Sequence, residues 1–165
     1  MLDGEEVLGV LGGKIKLGLF KSATMAMIVT NRRFVFAEIT NDMLAAQAEK
    51  IRKRSAEEKP GFFGRMAMAL NANKELLADL GKGDPDEVSA GSPKNFVVPI
   101  EGVVQGKVNN ETKYDYDGDF KGSNTVVLLK TADKKYELTL EGATSQPAEI
   151  LGQALGSRFK KGLFR

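Results

Sequence analysis

Apolar and polar residues alternate through the first forty positions, which is typical of β-strands with one buried face. The alternation is clearest in KIKLGLF (14–20), and two further apolar runs follow, TMAMIV (24–29) and RFVFAEI (33–39). Short polar segments at 21–22 and at Asn31 separate the runs, and asparagine tolerates the backbone conformations of tight turns. The pattern predicts three antiparallel strands joined by short turns.

The hydrophobic period changes between residues 41 and 80, where alanine, glutamate, lysine and arginine are abundant. Pro60-Gly61 interrupts this helical pattern and predicts a turn. Apolar residues recur at helical spacing after the turn, at Phe63, Met66 and Leu70. We therefore expect a helical hairpin inserted over 41–80.

The second half of the chain begins with residues 81–95, whose glycine, proline, aspartate and serine content predicts a flexible linker. Strand patterns return over 96–142 and include a hairpin formed by 125–131 and 135–142. The chain then shows an apolar stripe with a four-residue spacing over 145–161, which predicts a last helix.

Composition narrows the possible functions. The 165 residues suit one domain, and 24 basic against 22 acidic residues argue against a dedicated nucleic-acid binder. The chain has no cysteine and no histidine, so disulfides, thiolate or imidazole metal sites and Ser-His-Asp or Cys-His enzymes are excluded. We expect no enzyme and no cofactor. The acidic start and the lack of a long apolar run predict a cytoplasmic protein.

The acidic stretch DYDGDF (115–120) invites comparison with a calcium loop, since Asp115, Asp117 and Asp119 alternate. An EF-hand loop needs glycine at its sixth position and glutamate at its twelfth, and both are missing here. We therefore expect a hairpin turn and no metal site.

Three motifs in this order resemble the pleckstrin-homology-like domains, in particular their bacterial and archaeal branch and the related GRAM-type modules. They are DGEEVL (3–8), TNRRFVF (30–36) and the later strand FVVPIEGV (96–103). The resemblance covers about two thirds of the chain. Residues 41–95 depart from it, because the family has a short loop where this chain inserts helices.

The resemblance implies an α+β, mainly β fold: a bent antiparallel barrel of seven strands with a C-terminal capping helix, here with an inserted helical hairpin. It also implies binding of phosphoinositides, peptides or proteins, with catalysis rare. Because one fold serves many functions, the ligand does not follow from it.

Arg32 and Arg33 lie in the turn of the most specific motif. Two guanidinium groups at a strand turn can hold a phosphate in a bidentate manner. The structural alternative is that one arginine packs its stem on the barrel and pairs with a carboxylate while the other is solvated. We favour the structural alternative.

Lys14, Lys16 and Lys21 form a second candidate anion site in the first hairpin. In lipid-binding relatives this hairpin carries the phosphate-binding residues, although their full basic signature is missing here. Lysines on the outside of an edge strand also discourage sheet-to-sheet pairing, which is the alternative that we favour.

The inserted hairpin supplies a third candidate, a contact surface of basic and apolar residues: Lys50, Arg52, Lys53, Arg54, Phe62, Phe63, Met66 and Leu70. Its apolar face suits a protein partner or a second copy of the chain, packing against the core, or an anionic membrane surface, in that order of preference.

The sequence therefore predicts a non-enzymatic binding or scaffold module that acts through protein contacts or self-association. The alternative is a peripheral domain that binds anionic lipid.

Overall fold

The computed structural model describes residues 1–16, 21–114, 117, 119–142 and 144–162. In chain order the strands are β1 (Val7–Lys16), β2 (Ser22–Thr30), β3 (Arg33–Glu38), β4 (Phe96–Pro99), β5 (Val103–Tyr114), β6 (Phe120–Thr131), β7 (Lys135–Glu141) and β8 (Phe159–Lys161). The helices are α1 (Asn41–Glu58), α2 (Phe62–Lys82), α3 (Pro85–Ala90) and α4 (Gln146–Leu155).

The eight strands form a mixed sheet in the order β4-β3-β2-β1-β7-β6-β5-β8. All neighbours are antiparallel except β5 and β8. This confirms the α+β, mainly β class. The sheet consists of two meanders, β1–β4 and β5–β7, which meet where β1 pairs with β7.

The seam between the two meanders is short. Among the described residues, β1 and β7 pair at Lys14–Thr139 and Ile15–Leu138. Gly13 allows this approach, since a Cβ at that position would lie 2.5 Å from the carbonyl oxygen of Thr139. A side chain at residue 13 would therefore push the two halves of the sheet apart.

The main core lies on one face of the sheet, called the inner face here. Alternation along β1 turns Leu11 and Ile15 to this face, where they join the aromatic side chain of Phe36. Helix α4 covers the inner face with Ile150, Leu151 and Leu155, which are all buried.

Helices α1 and α2 occupy the connection between β3 and β4, where the helical hairpin was predicted. Helix α2 packs on the opposite, outer face of β1. A Cβ at Gly12 would lie 2.8 Å from Leu77 Cδ1, and a Cβ at Gly81 would lie 2.7 Å from Val10 Cγ2. Two glycines, one on each element, thus permit helix and strand to touch closely. The sheet lies between α4 and α2.

The segment predicted as a linker, 81–95, contains the end of α2 and the whole of α3. Asp84 caps α3 by accepting from the N–H of Asp86, at 2.9 Å. Asn95 donates to the carbonyl of Val88 and accepts from the N–H of Glu38. The polar residues that suggested a linker are the caps and bridges of ordered structure.

Two further boundaries differ from the prediction. The first strand begins at Val7, seven residues before the predicted start at 14, and Leu17 and Leu19 lie outside the described residues. The last helix ends at Leu155, because Gly156 has a φ of +54°. Phe159 continues the apolar stripe from strand β8, where it packs against the same core.

Gly13→Ala should lower the free energy of unfolding by about 1–3 kcal/mol, because its methyl group meets backbone across the β1–β7 seam. Urea unfolding followed by circular dichroism measures the change. Gly102→Ala is the matched control, since a Cβ there has no atom within 4 Å. An equal loss in both variants would contradict a close seam at Gly13.

Candidate functional site

The turn between β2 and β3 holds a buried ion pair. The Glu5 carboxylate has no exposed surface, and only 12% of the Arg33 side chain is exposed. Arg33 donates from Nε to Glu5 Oε1 at 2.8 Å and from Nη2 to Oε2 at 2.9 Å. The Thr30 hydroxyl and the Leu2 N–H also donate to this carboxylate.

Other residues of the turn form hydrogen bonds with the segment that precedes β1 and within the turn itself. Asn31 accepts from the N–H of Glu6 and donates to the carbonyl of Gly4, both at 3.0 Å. Thr30 accepts from the N–H groups of Arg32 and Arg33. The motif therefore closes its own turn and binds residues 4–6.

Two opposing effects set the pKa of Glu5. Burial raises it, because a carboxylate loses its hydration. The hydrogen bonds from Arg33, the Leu2 backbone and Thr30 favour the ionised form and outweigh burial, so the pKa lies below the ordinary value. Arg33 is occupied by Glu5 and Asp86, whereas Arg32 is exposed. The two arginines match the structural alternative.

The three candidate lysines have different surroundings. Lys16 Nζ pairs with Glu137 at 2.9 Å, and Lys21 is exposed before β2. Lys14 lies at the edge of a groove. Strand β1 is flanked by β2 and β7, so the expectation that these lysines protect an edge strand is wrong.

The groove lies along α2 and the outer face of β1, extends to Leu11, Leu140 and Gln146 at the start of α4, and has a volume of about 520 Å³. One wall is apolar and is formed by Val10, Ile39, Leu44, Leu76 and Leu77. The rest of the lining is mostly polar, with Asn73 on α2 beside the leucines and the others on the strands or at 144–146: Lys14, Thr24, Lys113, Asn124, Thr139, Glu141, Thr144 and Gln146.

The charges of the groove are two lysines and one glutamate. Within the described part of the chain, neither Lys14 nor Lys113 forms an ion pair. With the side-chain amide of Asn124 in its hydrogen-bonding orientation, Lys113 Nζ donates to the amide oxygen at 2.8 Å. Glu141 lies on the same side, so the groove carries one net positive charge.

The basic residues of α1 are paired within the hairpin. Lys50 and Arg54 reach across to α2, where they contact Asp79 at 3.0 Å and Glu75 at 2.8 Å. Arg52 and Lys53 both contact Glu49 on their own helix, at 2.8 and 4.0 Å. These pairs leave the four basic residues close to acidic partners.

The turn of the hairpin exposes large apolar side chains, which we call the aromatic tip: Phe62, Phe63 and Met66. They are 75%, 78% and 48% exposed, and the two phenyl rings touch edge to face with centroids 5.7 Å apart. The side chain of Leu70 lies outside the described part of the structure. These are the three most exposed large apolar side chains among those that the structure describes on the hairpin.

Beside the tip, a shallow hollow of about 510 Å³ opens between α1 and α2. Its lining is mainly small or apolar: Ala48, Ile51, Arg52, Ser55, Ala56, Lys59 and Met68. The hairpin therefore carries an aromatic projection and an apolar hollow side by side.

Among the described residues, no group of three acidic side chains is arranged to hold a metal ion, and Asp115 lies outside them. No described helix is long and apolar enough to cross a membrane.

Sequence reasoning missed Glu5, Lys113 and the groove. Only the acidic opening of the chain pointed to Glu5, and no local signal pointed to Lys113.

No protein-family model and no curated protein sequence matches this chain. Among solved structures, the chain is similar to the hSac2 domain from human phosphoinositide phosphatase Sac2. The TM-score is 0.47 and the sequence identity 11%, over 100% of this chain and 80% of that domain's chain. That degree of likeness carries no argument about function.

Glu5→Gln should destabilise the protein by about 1–3 kcal/mol at neutral pH, because Arg33 loses its charged partner. Since folding lowers the pKa of Glu5, its contribution is complete above the ordinary value of 4.5 and is lost as the pH falls through the folded-state value. The difference between Glu5→Gln and the native protein should therefore shrink in acid.

Urea unfolding over a series of pH values measures this difference. Glu6→Gln is the control, because Glu6 is the neighbouring residue and is exposed. A difference between Glu5→Gln and the native protein that stays constant into acid would show that the carboxylate charge is not what holds Arg33.

Proposed function

We propose that this chain is a non-enzymatic binding module of pleckstrin-homology-like fold whose inserted hairpin associates with a second copy of the chain. The observation that carries the proposal is the aromatic tip, since Phe62 and Phe63 are about three-quarters exposed, at 75% and 78%. Aromatic and methionine side chains are enriched at protein interfaces.

The topology supports the fold part of the proposal. The sheet order β4-β3-β2-β1-β7-β6-β5 is that of two meanders joined through their first and last strands. Helix α4 covers one face, as the C-terminal helix of a pleckstrin-homology-like barrel does. Strand β8 and the hairpin are additions to that plan.

Self-complementarity supports a second copy as the partner. A two-fold contact buries the same patch on both subunits, so it needs a projection and a recess on one surface. The aromatic tip and the hollow lined by Ala48, Ile51 and Met68 lie next to each other on the hairpin. One tip would then enter the hollow of the other copy.

The charge distribution supports protein contact over an anionic membrane. Membrane attraction grows with unpaired basic charge near the surface. Here the basic residues of α1 are close to Glu49, Glu75 and Asp79. One observation favours the membrane alternative: Lys59, without an ion pair among the described residues, lies three residues before Phe62 of the aromatic tip. The proposal places the module in the cytoplasm.

Phe62→Ser/Phe63→Ser should weaken self-association by about thirtyfold or more, because truncating a central aromatic anchor costs about 2 kcal/mol or more. Ala48→Arg should do the same by filling the hollow. Light scattering after size exclusion, over a range of protein concentrations, measures the mass. Val104→Thr is the control, since Val104 is 54% exposed but lies on β5.

A native chain that stays monomeric at all concentrations would overturn self-association. Sedimentation with vesicles of phosphatidylcholine, with and without phosphatidylserine, then tests the membrane alternative. Binding that needs phosphatidylserine and is lost in Phe62→Ser/Phe63→Ser would establish it.

A further inference from the structure

We infer that the groove between α2 and the outer face of the sheet binds a single-chain amphiphile, with an anionic head group at Lys14 and Lys113 and an alkyl chain along the leucines of α2. This site is separate from the aromatic tip and does not depend on self-association.

The apolar wall supplies the place for the alkyl chain. Leu76 and Leu77 lie on α2 and line the groove, Leu77 beside Gly12 of β1, and Leu44 of α1 extends the wall. Leu76 and Leu77 are half-buried, and Leu44 is 41% exposed. An alkyl chain would remove their remaining apolar surface from water, which is the usual driving force for such binding.

The polar wall supplies the place for the head group. Lys14 and Lys113 lie on β1 and β5, which are separated by β7 and β6, and the strand register places Lys14 level with Asn109, four residues before Lys113. Both side chains nevertheless line the same groove. An anion between them would find two ammonium groups and the hydroxyl of Thr139.

Two lysines outside the groove show the contrast with Lys14 and Lys113. Lys16, two residues from Lys14 on the same strand, pairs with Glu137 at 2.9 Å. Lys50 on the hairpin pairs with Asp79 at 3.0 Å. In the groove, Glu141 balances one of the two lysines, so a ligand with one negative charge matches the site.

The chemistry of the groove lining argues against two simpler ligands. A small polar anion would leave the leucine wall exposed, and a neutral lipid would bury the lysines without a charge partner. The volume of about 520 Å³ is within the usual range of small-molecule sites. A fatty acid and an alkyl phosphate share the required chemistry and differ in the head group.

The test uses the full chain and three soluble probes below their micelle concentrations: laurate, dodecyl phosphate and the neutral monolauroylglycerol. Amide chemical shifts from heteronuclear NMR titrations give both the affinity and the site. We expect laurate or dodecyl phosphate to shift the amides around Leu77 and Thr139. The tighter of the two anions identifies the head group as a carboxylate or a phosphate.

Matched variants assign the head-group residues. Lys14→Gln and Lys113→Gln should each weaken anion binding by about fivefold. Lys16→Gln should leave binding unchanged, and Thr24→Phe should abolish it by filling the floor of the groove. Circular dichroism checks that each variant is folded.

Three outcomes would overturn the inference. They are no shift with either anion, equal affinity for the neutral probe, and anion binding that survives both Lys14→Gln/Lys113→Gln and Thr24→Phe. Phe62→Ser/Phe63→Ser should bind the amphiphile as the native chain does, so failure here is distinguishable from failure of self-association.

Discussion

Close packing between α2 and β1 is the contact on which both candidate surfaces depend. It rests on two glycines, because Gly12 admits Leu77 to the strand and Gly81 admits Val10 to the helix. Side chains at these positions would lift α2 from the sheet. The groove would lose one wall, and the position of the aromatic tip relative to the sheet would no longer be fixed. An insertion in the β3–β4 connection thereby becomes part of a rigid surface.

The positions of the charged residues distinguish those that stabilise the fold from those that we infer to bind a ligand. Arg33 and the basic residues of α1 are close to carboxylates and serve the fold, since Arg33 holds the start of the chain and Lys50 and Arg54 hold α1 to α2. Lys14 and Lys113 have no such partner among the described residues and face an apolar wall. A mostly apolar wall with a few charged groups is the lining on which the inferred amphiphile site rests.

The local sequence pattern predicted the strands and the helical hairpin, because strands and helices have different periods of hydrophobic residues. The pairing of one turn arginine with a carboxylate was also predictable, but its partner was not, since Glu5 lies 28 residues from Arg33. Lys113 gave no signal because only the sheet order brings β5 near β1. Phe159 kept the helical spacing while belonging to β8, since Gly156 ends the helix and the core continues past it. These features depend on contacts between elements that are far apart in the sequence, which a local sequence pattern does not reveal.

The most direct measurement is cross-linking of α2 to β1 in a chain that has no cysteine of its own. A Cβ at Gly81 would lie 4.0 Å from Val10 Cβ, which suits a disulfide. Val10→Cys/Gly81→Cys should therefore form an intramolecular disulfide under mild oxidation, detected by mass spectrometry, while Val10→Cys/Lys74→Cys should keep two thiols. Equal cross-linking in both pairs, or none in the first, would show that the hairpin is not docked on the sheet.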